Sequence, residues 1–415
     1  MKHFRFLLYA SPMLFCCLLA LGGCALVEIE EQTRIADNTG VITGKIKPPE
    51  KQTGNIIVGL YRNEKGFFIL ENHMMATPEG GYLFHLTPDT YYIAAFVDSN
   101  NDGKYQPDEY ASYYGKPTAV KVGAKQTVTL PVLYIKGKLA INHKYKSIDN
   151  TPLAVKNIGR VVSMHTPLFN EDNESMGLWK PVDFLEKIGG GLFLLQQYQD
   201  NRIPVLFIHG ANGGANDWMK IVEKLDRTRF QPFLFYYPSG LRLDMVSDFL
   251  TRSVSQLQNS YGFRQLFIIA HSMGGLVARS FVMKYRKRYP HAAKSIHLLV
   301  TINTPMKGMH SAANGVRNSP IVVPSWRDVA TGSSFLQKLN AWQWPGEIPY
   351  YLVFSYESGK GGDGVVTLQS QIPLKLQSEA VRIYGFNASH AGILEKNVFI
   401  AKLNEILLAN FQRPK

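Results

Sequence analysis

The feature that most constrains this chain is an apolar run that ends in a serine beside small residues. Leu266 to Ala270 are all apolar, and His271-Ser272-Met273-Gly274-Gly275 follows at once, before a helical stretch. A strand that reverses into a helix this sharply holds one side chain outward in a strained conformation, and it needs small flanking residues. The sequence therefore predicts a strand, a tight turn and a helix, with Ser272 presented at the turn.

Apolar runs and helical stretches alternate throughout the second half of the chain. Such alternation is typical of parallel βαβ units, so we expect an α/β domain with a doubly wound, mostly parallel sheet. The predicted strands are Val205 to Ile208, Phe233 to Tyr236, Leu266 to Ala270, Ile296 to Ile302, Tyr350 to Phe354 and Ala380 to Tyr384.

The turn at Ser272 resembles the nucleophile turn of the α/β-hydrolase superfamily, especially its serine esterases, lipases and GPI-inositol deacylase-like members. Ala270 stands where that family usually has glycine. His209-Gly210-Ala211 follows a predicted strand and resembles the family's His-Gly turn. The resemblance implies an oxyanion hole formed by the backbone N–H groups of Ala211 and Met273. We expect His209 to brace the turn rather than to move a proton.

The same resemblance implies that an acid and then a histidine follow the serine along the chain. Asp363 lies in a glycine-rich turn after a predicted strand, and Glu357 is the alternative acid. His390 lies on a loop before the last helical stretch, Val398 to Leu408. Ser272 would attack the substrate, His390 would accept and return its proton, and Asp363 would orient the imidazole. No cofactor is expected for catalysis.

Three functions fit these residues. The first is a membrane-tethered serine hydrolase that cleaves acyl or lipid carboxylic esters through an acyl-enzyme. The second is an acyltransferase that uses the same three residues on membrane lipids. The third is a non-catalytic surface lipoprotein with a decayed hydrolase domain, which the three intact residues disfavour. We expect the first, although the sequence does not distinguish water from an alcohol as the acyl acceptor.

The beginning of the chain has the pattern of an export signal. A basic start precedes an apolar run from Phe6 to Leu21, which has about the length of a signal-peptide core. The run ends in Leu21-Gly22-Gly23-Cys24, which resembles a bacterial lipobox and implies that residues 1–23 are removed and Cys24 is lipidated. Ala25 in the next position favours the outer membrane of a bacterial cell envelope. Residues 24–40 are polar and are interpreted as a tether.

In residues 41–135, short runs of alternating apolar and polar residues are separated by turn residues. This pattern predicts a small all-β sandwich, and it resembles transthyretin-like or carboxypeptidase-regulatory modules. Twelve residues from Asp98 to Glu109 have the oxygen spacing of a calcium loop. A turn rich in Asp and Asn without a metal is the alternative. The candidate ligands of a structural Ca²⁺ are Asp98, Asn100, Asp102, the carbonyl of Lys104, and Glu109.

Residues 136–415 form the predicted α/β-hydrolase domain, with a lid-like insertion at about 307–348. Trp326, Trp342 and Trp344 of this insertion either cover an acyl chain or pack against the sheet.

The net charge of +13 favours an anionic partner. A basic run, Lys284, Arg286, Lys287 and Arg288, could face anionic lipid headgroups or simply form a solvated helix end. No nucleic-acid-binding motif accompanies the charge. With a lipid predicted on Cys24, we expect a membrane and an ester or lipid substrate as partners, and no nucleic acid.

Overall fold

The computed structural model describes residues 26–50, 53–138 and 153–412. The predicted signal peptide and Cys24 lie outside the described residues. A helix, an all-β domain and an α/β domain follow one another along the chain. Within the described ranges, every helix is too short or too polar to cross a lipid bilayer.

The segment interpreted as a tether is largely helical. Residues 26–37 form helix α1. The side-chain carbonyl of Gln32 accepts hydrogen bonds from the N–H groups of Val182 (3.0 Å) and Asp183 (2.9 Å), in the first turn of another helix. Ala36 is buried in the core of the α/β domain. A free tether is therefore wrong for this stretch, because α1 caps a helix of the α/β domain and contributes to its core.

The all-β domain contains two sheets. One sheet has the order β4-β1-β8, with β9 also paired to β1, and the other has the order β10-β6-β5-β2-β3, with β7 also paired to β5. Alternate side chains of both sheets, such as Ile42, Leu60 and Ile93, meet in one core. The strands are β1 (Gly40–Lys47), β2 (Asn55–Glu64), β3 (Phe67–Met75), β4 (Gly81–Leu86), β5 (Asp89–Asp98), β6 (Tyr110–Tyr113), β7 (Val120–Val122), β8 (Thr127–Thr129), β9 (Leu133–Tyr134) and β10 (Gly137–Lys138).

The α/β domain is built on a seven-stranded sheet of order β11-β13-β12-β14-β15-β16-β17. Only β11 at one edge is antiparallel to its neighbour, and the other pairs are parallel. This arrangement confirms the predicted doubly wound, mostly parallel sheet. Its strands are β11 (Gly191–Leu194), β12 (Ile203–Ile208), β13 (Phe230–Tyr236), β14 (Leu266–His271), β15 (Ile296–Ile302), β16 (Tyr350–Tyr356) and β17 (Arg382–Asn387).

Helices cover both faces of this sheet. Leu206 and Ile268 point into a core shared with α6 and α7, whereas Phe207 and Phe267 point into a second core shared with α5 and α13. The helices are α2 (Leu153–Lys156), α3 (Glu171–Trp179), α4 (Pro181–Lys187), α5 (Met219–Glu223), α6 (Leu243–Tyr261), α7 (Met273–Arg288), α8 (His310–Asn318), α9 (Pro324–Val329), α10 (Ser334–Ala341), α11 (Leu368–Gln371), α12 (Leu374–Glu379) and α13 (Asn397–Ala409).

The predicted lid-like insertion contains α8, α9 and α10. Two of its tryptophans pack inward, because the guanidinium of buried Arg279 lies 5.9 Å from the ring centre of Trp342 and 5.1 Å from that of Trp344. Arg279 also forms an ion pair with Glu379 at 2.8 Å. Trp326 instead contacts the ring of Trp179 on α3. For Trp342 and Trp344 the packing alternative therefore describes the structure.

The all-β domain contacts α6. His85 Nε2 of β4 lies 2.9 Å from Asp248 Oδ2 of α6, and Asp248 Oδ1 also pairs with Lys284 (2.9 Å) and Arg288 (2.7 Å) of α7. Arg286 pairs with Glu347 at 2.7 Å. Three side chains of the basic run therefore form ion pairs with carboxylates of this chain.

In the calcium-like loop, carboxylates are bonded to backbone amides. Asp98 accepts from the N–H of Gly103 (2.9 Å), and Glu109 accepts from the N–H of Ser99 (2.8 Å). Nowhere in the described ranges do three or more His, Cys, Asp or Glu side chains form a group that could hold a metal ion. The Ca²⁺ site at Asp98, Asn100, Asp102, Lys104 and Glu109 stays a prediction.

Candidate active site

Ser272 lies between the end of β14 and the start of α7. Its backbone has φ 53° and ψ −130°, a conformation that L-residues rarely adopt and that costs free energy. The N–H of Ser272 donates to the carbonyl of Ile302 at 2.8 Å, which ties the turn to β15. The hydroxyl is thereby held at the carboxyl edge of the sheet, as the strand–turn–helix pattern predicts.

Two glycines allow this turn to lie against the His-Gly turn. A Cβ on Gly210 would lie 2.8 Å from the Cβ of Ser272, and a Cβ on Gly274 would collide with the carbonyls of Ile208 and His209. Real Cβ atoms do not approach so closely, so any larger residue would push α7 away from β12. These positions explain why small residues flank the serine.

Ser272, His390 and Asp363 form one hydrogen-bonded chain. His390 Nε2 lies 2.8 Å from Ser272 Oγ, and His390 Nδ1 lies 2.6 Å from Asp363 Oδ2. A carboxylate only accepts, so Nδ1 carries the proton and Nε2 accepts from the serine hydroxyl. The alternative acid, Glu357, pairs with Lys360 at 2.9 Å instead. The structure thus brings together the three residues that the sequence selected.

Asp363 is buried yet ionised at neutral pH. Burial raises the pKa of its carboxyl. The hydrogen bond and charge of His390 and the N–H groups of Val366 and Val365 lower the pKa by more than burial raises it, so the pKa lies below the ordinary value. Those two amides donate to Oδ1 at 2.7 and 2.9 Å. The carboxylate can therefore orient the imidazole and stabilise an imidazolium.

Comparisons with known proteins bear on this domain. A sequence model of the alpha/beta hydrolase fold matches residues 203–328, which span β12 to α9 and include Ser272. The matched residues, the strand order of the sheet and the strand–turn–helix at Ser272 all indicate the same fold. The C-terminal domain has the α/β-hydrolase fold.

Similar proteins include human and bovine (lyso)-N-acylphosphatidylethanolamine lipases. The human protein is 24% identical over 106 residues, 22% of this chain and 30% of that protein. The bovine protein is 25% identical over 104 residues, 22% of this chain and 29% of that protein. The matched region spans less than a third of either relative.

Among solved structures, the mature lipase BlEst2 of Bacillus licheniformis is similar, with 15% identity and a TM-score of 0.43 over 52% of this chain and 97% of that chain. Phospholipase PlaB of Legionella pneumophila is also similar, with 15% identity and a TM-score of 0.40 over 52% of this chain and 60% of that chain.

His209 braces the turn of the hydrolase domain beside the serine. The N–H of Tyr237 donates to Nε2 (3.2 Å), so Nδ1 is protonated and donates to the carbonyl of Gly210 (2.8 Å). Complete burial lowers the pKa of the imidazole to about 4. Both ring nitrogens of a neutral His209 are therefore used in structural hydrogen bonds.

The two expected oxyanion donors lie on either side of the serine turn. Met273 is the first residue of α7, where backbone N–H groups have no acceptor within the helix. Ala211 follows Gly210, which touches Ser272. The next residue, Asn212, is fixed by a hydrogen bond from its N–H to the hydroxyl of Ser239 at 3.0 Å. The role of Ala211 and Met273 as donors stays a prediction.

Two carboxyl groups near the site were not predicted. Asp217 Oδ2 accepts from the N–H of Gly214 (3.2 Å), and Glu174 Oε1 accepts from the side-chain amide of Asn216 (3.2 Å). Burial raises the pKa of Glu174 to about 7, with a contribution from the charge of Asp217. Burial also raises the pKa of Asp217 to about 6, although the charge of His390 lowers it. Glu174 is distant in sequence from every motif, so no local signal marks it.

Proposed function

We propose that this protein is a membrane-tethered serine hydrolase that cleaves carboxylic esters through an acyl-enzyme. The observation that carries the proposal is the chain of hydrogen bonds from Ser272 through His390 to Asp363. The α/β-hydrolase fold supports it. The relatives are named lipases of a phospholipid, so phospholipids and acyl esters are the substrate classes to test first.

The geometry suggests how the residues divide the reaction. His390 Nε2 accepts the proton of Ser272 while Oγ attacks the ester carbonyl, and the carbonyl oxygen takes up negative charge. The N–H groups of Ala211 and Met273 donate to that oxyanion. His390 then returns the proton to the leaving alcohol, and water repeats the sequence to release the acid. Asp363 stays ionised throughout and balances the imidazolium.

Hydrolysis of p-nitrophenyl esters of increasing chain length tests the activity. We expect Ser272→Ala to lower kcat by roughly 10⁴–10⁶-fold, since catalytic triads act as a unit. Ser260→Ala is the matched control, because Ser260 lies exposed on α6 and donates only to the carbonyl of Gln256. Retention of most activity by folded Ser272→Ala contradicts the proposal. Product analysis with and without an alcohol acceptor separates hydrolysis from acyl transfer.

The lipobox-like sequence supports a membrane anchor at Cys24, and helix α1, which follows it, is fixed to the α/β domain. Beyond the Gln32 cap, Glu28 Oε2 pairs with Lys180 Nζ at 2.6 Å. Cys24 lies two positions before the first described residue of α1, so a lipid on Cys24 would hold the hydrolase domain close to the bilayer of the cell envelope.

Labelling with a fatty acid in the bacterial host tests this anchor. We expect wild-type protein to incorporate the label and sediment with membranes, and Cys24→Ala to do neither. Label that survives the substitution rejects Cys24 as the anchor while leaving the esterase assay unaffected.

A further inference from the structure

The main chain of His390 is held as firmly as its side chain. Its N–H donates to the carbonyl of Asp363 at 2.9 Å. Its carbonyl receives two side-chain hydrogen bonds, from His271 Nε2 at 2.9 Å and from Asn303 Nδ2 at 2.9 Å. His271 ends β14 and Asn303 follows β15, so two adjacent parallel strands grip the loop of the proposed catalytic histidine.

Further hydrogen bonds connect Asn303 with the loop of Asp363. Asn303 Nδ2 also donates to the hydroxyl of Ser355 at 2.7 Å. Gln371 Oε1 accepts from the N–H of Ser355 (3.1 Å), and Gln371 Nε2 donates to the carbonyls of Ser355 (3.1 Å) and Val366 (2.9 Å). The N–H of Val366 in turn donates to Asp363 Oδ1 at 2.7 Å. A continuous set of hydrogen bonds therefore connects the base loop with the acid loop.

We call His271, Asn303, Ser355 and Gln371 the loop frame. Asn303 and Ser355 are fully buried, Gln371 is 1% exposed and His271 is 5% exposed. Burial, together with the charge of His390, lowers the pKa of His271 to about 3. His271 is therefore neutral at physiological pH and has one N–H, which it gives to the His390 carbonyl.

Two features of Asn303 are unfavourable for the stability of the fold. Its φ is 52°, in the left-handed region, and its buried Oδ1 has no hydrogen-bond partner among the residues described. Strain and an unpaired buried acceptor both cost stability, and they persist where the surroundings impose them for function. What Asn303 provides in return is its Nδ2 group, which donates to two acceptors at once.

We propose that Asn303 and His271 are positioning residues that set the imidazole of His390 by holding its backbone carbonyl. The proposal rests on the proposed function, because it gives these residues a role in the same reaction. One rigid ring must align Nδ1 with Asp363 and Nε2 with Ser272 together. A displacement of about 1 Å at such a site can cost on the order of 10²-fold in rate.

Asn303→Asp tests the proposal because it keeps the size and shape of the side chain and replaces the double donor with an acceptor. We expect kcat on a soluble ester to fall by about 10–100-fold with KM changed less than twofold. The labelling rate of Ser272 by a fluorophosphonate should fall in parallel. In the NMR spectrum, the downfield signal of the proton between His390 Nδ1 and Asp363 should shift or broaden.

Asn340→Asp is the matched control. Asn340 Nδ2 also donates to a backbone carbonyl, that of Met306 at 2.9 Å, and its Oδ1 also lacks a partner in the described ranges. The carbonyl is not that of His390, so kcat and the downfield signal should stay at wild-type values. Equal effects of the two substitutions would assign the loss to general destabilisation and overturn the proposal.

A pair of substitutions at His271 keeps the test decisive if Asn303→Asp does not fold. His271→Gln retains an amide donor and should keep more activity than His271→Phe, which removes it. A folded Asn303→Asp with wild-type kcat and an unchanged downfield signal would refute the proposal, as would equal activity of the two His271 variants. The NMR signal is measured without substrate. A wild-type protein that is inactive on esters would refute the proposed function, and the NMR comparison of the variants would still test the positioning role.

Discussion

Asp363 and the pair of Glu174 and Asp217 are carboxyl groups of the same domain, and their pKa values are shifted in opposite directions. Asp363 accepts from His390 and from two backbone N–H groups, and its pKa lies below the ordinary value despite burial. Glu174 and Asp217 lie near each other, form no ion pair with any Lys or Arg that the structure describes, and have pKa values raised to about 7 and about 6. Burial alone therefore does not set the pKa of a carboxyl group here, because the hydrogen bonds to Asp363 and the charge of His390 outweigh burial at that residue.

Asp363 and the pair of Glu174 and Asp217 also differ in role. Asp363 is charged at neutral pH, so it can favour the imidazolium. Glu174 and Asp217 lie against Gly213 and Gly214, in the loop that contains the expected oxyanion donor. A Cβ on either glycine would collide with a carboxyl oxygen. This pair supports the loop and gains charge only toward neutral pH.

Asp363→Asn should have the largest effect of the changes that break this comparison. The amide would let His390 adopt the other tautomer and would remove the charge that favours the imidazolium. We expect kcat to fall by about 10³–10⁴-fold with little change in the melting temperature. Steady-state ester hydrolysis at pH 8 measures the effect.

Asp217→Asn is the control for that substitution. An asparagine oxygen can still accept from the N–H of Gly214, and Asp217 has no hydrogen bond to His390 in the structure. The loss in kcat should therefore stay below about tenfold. Similar losses for Asp363→Asn and Asp217→Asn would show that the two sets of carboxyl groups do not differ in function.

The sequence was sufficient for those parts of the site that depend on local order. Ser272 follows an apolar strand and precedes a helix, Asp363 lies in a glycine-rich turn after β16, and His390 lies between the last strand and the last helix. Each signal is contained in about ten neighbouring residues. The predicted strand Ile296 to Ile302 has the bounds of β15, because a largely buried strand is a nearly continuous apolar run.

What the sequence did not reveal depends on contacts between distant segments. His271 and His390 are 119 residues apart, and Asn303 and His390 are 87 residues apart, so only the parallel order of β14, β15 and β16 brings them together. The run from Thr127 to Tyr134 is divided into β8 and β9 around Pro131, which has no N–H to donate to a ladder. The helical state of residues 26–37 likewise depends on packing against the α/β domain.

Glu174→Gln should have the smallest effect and the opposite sign for stability. A carboxyl whose pKa is raised by folding stabilises the fold fully below its unfolded value, near 4.5, and this contribution disappears as the pH rises through about 7. The neutral amide avoids that loss and keeps an oxygen for Asn216. We expect Glu174→Gln to be more stable than wild type by about 1–2 kcal/mol at pH 8 and nearly equal at a pH below 4.5.

Urea unfolding at both pH values measures the difference, and Glu171→Gln, at an exposed position on the same helix, is the control and should show no such pH dependence. If Glu174→Gln and wild type have the same free energy of unfolding at pH 8, Glu174 accepts its charge without cost. The contrast with Asp363 would then fail, because both carboxyl groups would be accommodated as anions.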